Sequence, residues 1–182
     1  WSTEVDQLAA GVSGDIKQQR LVLVSAGNTD NFTFGAGNYL DRCDHEDNEI
    51  ESPAQAWNVL SVGAFTEKTV LPNGDPAQAL APFGDLSPAS RTASWSSHWP
   101  NKPDVVLEGG NWALSAMPPP MRHGWLSLLS THHNYPVRSF TFTFDTSAAT
   151  ALAAKDVTEL WSDYPTLWPE TVRGLYVSSA RW

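Results

Sequence analysis

Arg20-Leu-Val-Leu-Val-Ser-Ala-Gly-Asn28 is a short, unbroken apolar run that closes on a glycine. A run without alternation predicts a central strand of a parallel sheet, covered on both faces. Upstream, Val5, Leu8, Ala9 and Val12 recur at helical spacing, so one amphipathic helix is expected from Ser2 to Ile16, with Gly11 and Gly14 at its far end. Helix followed by buried strand argues for α/β architecture. Downstream, residues 29–52 are polar and rich in Asn, Gly and acid, and read as an irregular surface loop. Trp57-Asn-Val-Leu-Ser-Val-Gly-Ala64 predicts a second buried strand.

Between Thr66 and Ser90 the residues Pro72, Asn73, Gly74, Pro76, Pro82, Gly84 and Pro88 break the chain too often for a long element. Loop with short ordered pieces is expected there. Pro103-Asp-Val-Val-Leu107 predicts a brief strand closed by Gly109 and Gly110, and Met117-Pro-Pro-Pro-Met121 a rigid extended segment. Val137 to Phe144 alternates and predicts a strand with Phe140, Phe142 and Phe144 on its apolar face. Directly behind it, Ser147 to Tyr164 is Ala-rich and carries Ala151, Ala154, Val157, Leu160 and Trp161 on a helical stripe. A last helix is expected from Pro169 to Ala180, with proline at its first position.

The 182 residues are 41% hydrophobic and 17% charged, which suits one globular unit. There are 20 acidic and 11 basic residues, a net of -9, and the cations are scattered. That balance argues against nucleic acid as a partner. No apolar run approaches the roughly 20 residues that span a bilayer, so no membrane partner is expected. The single cysteine, Cys43, precludes an internal disulfide and fits a reducing compartment, the cytoplasm. The chain opens at Trp1 without a charged start and apolar run, so it reads as a piece of something longer. The nine tryptophans follow no period, and core packing is expected for most of them.

Asp145-Thr-Ser-Ala-Ala-Thr150 puts a hydroxyl at a helix N-terminus, where unpaired N–H groups favour developing negative charge. A plain N-cap is the competing reading. Asn28 ends a buried strand, where its amide can either donate past the sheet edge or simply serve a left-handed turn.

Five segments, in order, together resemble the subtilase family of serine proteases. Leu21-Val-Leu-Val-Ser-Ala-Gly-Asn28 is similar to its oxyanion-hole strand, and Ser52-Pro-Ala-Gln-Ala-Trp-Asn-Val-Leu-Ser-Val-Gly-Ala64 to its Pro-Ala segment and following core strand. Ala93-Ser-Trp-Ser-Ser97 with Lys102-Pro-Asp-Val-Val106 and Gly109 resembles its Ser-rich turn and Lys-Pro-Asp strand. Thr146-Ser-Ala-Ala-Thr150 resembles the nucleophile motif, and Trp168-Pro-Glu-Thr-Val-Arg173 the closing helix.

The resemblance implies a subtilisin-like three-layer α/β/α fold with a mainly parallel sheet, of which residues 1–182 are the C-terminal portion. It implies Ser147 as nucleophile, Asn28 as side-chain donor to the oxyanion and the Ser147 N–H as second donor. Ser25, Ala26 and Gly27 would line the pocket for the residue before the scissile bond. Insertions are expected near 66–90 and 111–136. Asp145 stands where the family motif has Gly, and Ala151 where it has Pro. In the family the triad Asp and His precede the oxyanion Asn, and no His occurs here before His45. A serine endopeptidase is therefore expected whose isolated C-terminal piece is inactive, with peptide or protein as substrate, the N-terminal part of the same domain as partner, and self-association through the unpaired edge. Neither a cofactor nor a metal is implied. The acidic cluster around Asp41, Cys43, Asp44, His45, Glu46, Asp47 and Glu49 lacks metal-ligand spacing, and His132 and His133 would point apart in a strand. His98, His123, His132 and His133 are weighed as local bases and disfavoured. A catalytically dead subtilase-like binding module and a Trp-rich glycan-binding domain are the alternatives.

Overall fold

The computed structural model describes residues 1–12, 14, 18–29, 39–93, 100–115 and 119–181. In chain order the elements are α1 (Ser2–Ala9), β1 (Leu23–Ser25), α2 (Tyr39–Cys43), β2 (Leu60–Thr66), β3 (Gln78–Ala79), β4 (Asp85–Leu86), β5 (Val105–Glu108), β6 (Trp112–Leu114), β7 (Met121–Arg122), β8 (Leu128–Thr131), β9 (Phe140–Thr143), α3 (Asp145–Asp163) and α4 (Pro169–Ser178). No described helix is long and apolar enough to cross a membrane.

β2 is the centre of the main sheet. It pairs in parallel with β1 on one side, Leu23 opposite Leu60 and Ser25 opposite Val62, and with β5 on the other, Val62 opposite Val105 and Phe65 opposite Glu108. Its far end also takes β4 in antiparallel pairing. The chain is thus a mixed α/β protein. The expected central position of the 20–28 run is corrected: among the described residues β1 pairs on one side only, and its three residues are half-buried. It lacks a second neighbour, whereas β2 is enclosed by strands and helices and is buried at every residue except Phe65.

Leu60, Val62 and Ala64 of β2 and Val105 of β5 pack against Ala149, Ala153 and Val157 of α3 and Val172 of α4. Each fully buried Leu or Val of this set contributes about 2 kcal/mol, and each alanine methyl less than half of that. On another side Val24 and Ala26 meet Ile50 and Ala54. Small alanines let α3 approach the sheet closely, so its buried stripe is Ala149-Ala153-Val157, and Ala151, expected inside, faces solvent. Beneath the start of β2, Lys102 is buried and pairs with Asp104 (2.8 Å), which also takes the Ser61 N–H (2.7 Å) and hydroxyl (2.8 Å) and reaches Arg173 of α4 (3.2 Å).

Several expectations change. α1 stops at Ala9 rather than Ile16 because the chain turns at Gly11, with φ 70°. A Cβ there would stand 2.9 Å from the returning backbone at Gln18. The 29–52 loop contains α2 and a 3₁₀ turn over Glu46–Asn48. β3, β6 and β7 form an antiparallel sheet from the segments expected as insertions, and β8 and β9 a hairpin. The Phe face of β9 is not a core face: Phe140 and Phe142 are 57% and 50% exposed and pair with Thr131 and Leu129 across the hairpin. Most of that side of the two-stranded ribbon is open to solvent, with Gly124 close against the Phe142 ring. Core packing also fails for most described tryptophans, since Trp1, Trp57, Trp125 and Trp168 are exposed and only Trp112 is buried. His132 and His133 do not point apart; they follow the end of β8 and their rings lie 4.2 Å apart. Ser94 to Ser97 of the Ser-rich turn, His98, and residues 116–118 of the proline segment lie outside the described residues.

Candidate active site

β1 runs into Gly27, whose φ of 94° turns the chain at the sheet edge. The following residues are held on a neighbouring strand-like segment: Arg91 N–H donates to the Gly27 carbonyl (3.1 Å), and Thr29 N–H to the Ala89 carbonyl (2.9 Å). Arg91 lies across this turn, donating from Nε to the Asn28 carbonyl (3.0 Å) and from Nη1 to the Glu49 carbonyl (2.9 Å). Asn28 is therefore fixed by its backbone before its side chain is considered.

That side chain meets the start of α3 across 118 residues of sequence. Asn28 Oδ1 accepts from the Thr146 N–H (3.2 Å) and the Thr146 hydroxyl (2.7 Å). A backbone N–H can only donate, so the amide oxygen must be the end that faces Thr146. The NH2 is the free end, with no hydrogen bond to a described residue. Thr146 is fully buried, and the next residue, Ser147, is exposed. The structure thus brings Asn28 and the Thr146-Ser147 turn together.

α3 begins abruptly. Phe144 caps it in extended conformation without a side-chain bond, and Asp145 takes φ 67°, the left-handed region that a glycine occupies freely. The first helical N–H groups find acceptors outside the helix: Asp145 N–H donates to the Gly109 carbonyl (2.6 Å), and Thr146 N–H to Asn28. The Ser147 N–H and hydroxyl have no hydrogen bond to any described residue. Gly109 must be a glycine here, because a Cβ would collide with Ala64 and lie 2.9 Å from the Asp145 carbonyl oxygen.

Asp145, which replaces the glycine of the resembled motif, is buried and paired. Its carboxylate accepts from Arg122 Nε (2.8 Å) and Nη2 and is approached by the Trp112 indole N–H (3.4 Å). The Arg122 guanidinium stands over the rings of Trp112 (5.0 Å) and Phe144 (4.8 Å). The substitution is thus accommodated twice, by an aspartate's tolerance of the left-handed turn and by a cation held between two aromatic rings.

Ser25, Ala26 and Gly27 line an open pocket of about 360 Å³ together with Asn28, residues 51–54 and Arg91. Ala26 is buried and its N–H is spent on the Val62 carbonyl (2.8 Å). Sequence reasoning missed Thr146 as the partner of Asn28, and Arg122, Arg91 and Gly109 as supports, since each acts across a long sequence separation. Glu51 on the pocket wall was also missed, although it adjoins the quoted Ser52-Pro-Ala segment.

The other candidate groups lie apart. His45 Nδ1 accepts from the Asp47 N–H (3.2 Å), His123 pairs through Nε2 with Asp75 (3.3 Å), and neither contacts Ser147. Burial lifts the Cys43 thiol to about 11, so it stays protonated and unreactive at neutral pH. Among the described residues no group of three His, Cys, Asp or Glu could hold a metal ion.

The chain is 26% identical over 194 aligned residues to a protein of Sinorhizobium fredii described as the uncharacterized protein y4bN, an alignment covering 99% of this chain and 43% of that protein. The chain spans less than half the length of this relative. The model of the Subtilase family matches residues 1–181. That match covers nearly the whole chain, and the chain belongs to the subtilase family.

Proposed function

We propose that this chain is the nucleophile-bearing part of a subtilisin-like serine endopeptidase. Ser147 Oγ attacks the peptide carbonyl carbon, and the tetrahedral oxyanion is held by the Asn28 NH2 and the Ser147 N–H. The amine leaves with a proton, an acyl-enzyme remains on Ser147, and water releases it. The observation that carries this reading is the double hydrogen bond from Thr146 to Asn28 Oδ1, which commits the amide oxygen and frees the NH2 next to an exposed serine.

The general base and its carboxylate partner come from residues outside this chain, and residues 1–182 alone are inactive. The three-layer fold is completed by the same segment, whose strand pairs with the free side of β1; without it, that edge promotes self-association. Residues 66–90 and 111–136 are insertions that frame the substrate cleft.

Casein hydrolysis tests the assignment, with this chain compared to a longer form that includes upstream residues, each beside its Ser147→Ala variant. Hydrolysis by the longer form alone, abolished by Ser147→Ala, is the expected result. A longer form that folds yet neither hydrolyses casein nor reacts with a serine-directed phosphonate overturns it.

A further inference from the structure

The pocket beside Asn28 carries two charges, and they are not equally available. Arg91 is only 15% exposed and turned to the protein: its Nε serves the Asn28 carbonyl, and its Nη1 serves the Glu49 carbonyl and Glu51 Oε1 (2.9 Å). Glu51, on the same pocket wall, is 74% exposed and gives Arg91 only one of its oxygens. The guanidinium is thus the back of the wall and the carboxylate its open face. The floor supplied by Ala26 and Gly27 offers no competing charge, and Gly27 cannot be enlarged without displacing Arg91, whose Cδ would be 3.0 Å from an added Cβ.

We propose that Glu51 sets the specificity of this pocket for peptides with lysine or arginine immediately before the scissile bond. This inference rests on the peptidase reading and names its substrate class. A cationic side chain entering between residues 25–27 and Glu51 meets the uncommitted carboxylate oxygen, forming a charge-assisted hydrogen bond as the bound peptide excludes water. An acidic side chain meets repulsion from the exposed Glu51, behind which Arg91 is largely withdrawn from solvent and has its Nε and Nη1 already bonded. The acidic stretch leading to the pocket, with Asp41, Asp44, Glu46, Asp47 and Glu49 against Arg42, adds a field that attracts basic substrates.

The test uses the full-length chain and fluorogenic peptides that differ only before the scissile bond, carrying Lys, Leu or Glu. The expected order of kcat/KM is Lys above Leu above Glu. Glu51→Gln, which keeps an oxygen for Arg91, is expected to lower the Lys-to-Leu ratio about tenfold, and Glu51→Asp to lower it less. A ratio at or below one, or one unchanged by Glu51→Gln, overturns the proposal. Calorimetric binding of product peptides ending in Lys or Leu to the full-length Ser147→Ala variant reads the pocket without turnover. Glu51-dependent preference for Lys with no hydrolysis by the wild-type full-length chain would keep the pocket assignment and sink the peptidase reading. Hydrolysis without that preference would do the reverse.

Discussion

Two aspartates, the half-buried Asp104 and the buried Asp145, both pair with cations, yet they do different work. Asp104 sits in the framework, tying β2 through Ser61 to Lys102 and to Arg173 of α4. Asp145 sits in the turn that presents Ser147, with a left-handed backbone and one partially exposed partner, Arg122. Lys102 has no contact with water, whereas Arg122 lies at a margin and is shared with two aromatic rings. The difference teaches that a buried ion pair is not one kind of object. The first fixes where elements pack, and the second fixes the turn from which the exposed Ser147 projects.

The largest expected effect breaks the framework. Asp104→Ala leaves Lys102 buried with only the Val59 carbonyl (3.4 Å), and a loss of about 3–5 kcal/mol in urea unfolding is expected. On the turn side, the peptidase proposal expects Asn28→Ala in a longer form with the upstream residues to lower kcat/KM about 100- to 1,000-fold, the scale that loss of one oxyanion donor has in subtilisin. Its stability should fall by only about 1 kcal/mol, through the unpaired Thr146 groups. If stability rather than turnover collapses, Asn28 is a structural cap and not a donor.

Asp145→Ala should cost about 2 kcal/mol, less than at Asp104 because Arg122 can turn to water. It should also lower kcat, since the left-handed turn before Ser147 loses its anchor. Acid sharpens the contrast further. Burial alone would raise the Asp104 carboxyl, but the Lys102 ammonium and the Ser61 N–H and hydroxyl outweigh it and hold it below the ordinary range. A depressed folded-state value means that its stabilisation is present above the unfolded-state value and is lost as pH falls through the folded one. Unfolding midpoints should therefore drop on the acid side, below about pH 4, and drop less in Asp104→Asn. The smallest effect is expected for Asp145→Gly, where relief of the positive φ, worth about 1 kcal/mol, offsets much of the lost ion pair. Loss of several kcal/mol there would mean that the Arg122 pair, not the turn, carries the local stability.

Where neighbours in sequence set the outcome, the chain is legible. The Ala-rich segment forms α3, Pro169 opens α4, and the apolar runs form β1 and β2. Where the outcome depends on what packs alongside, reading fails. The alternating Phe140 and Phe142 satisfy the pattern of a buried face but lie on an uncovered ribbon. Most of the described tryptophans are exposed for the same reason, since hydrophobicity states a preference and not the presence of a partner. The α3 stripe was misplaced because alanine is compatible with either side of a helix.

Asn28 and Ser147 were marked by their motifs, but their support was not. Arg91, Arg122, Thr146 and Glu51 carry no local signature, because their roles arise from contacts between distant segments. The sequence by itself determined the family, the helices and strands of the main layer, and the two residues of the proposed chemistry, since these depend on short-range pattern and motif. The tertiary structure alone decided which end of the Asn28 amide faces Thr146, how Asp145 holds a left-handed turn, and which charge of the Arg91-Glu51 pair is the exposed one. Orientation and desolvation are properties of the assembled surroundings, and no residue carries them alone.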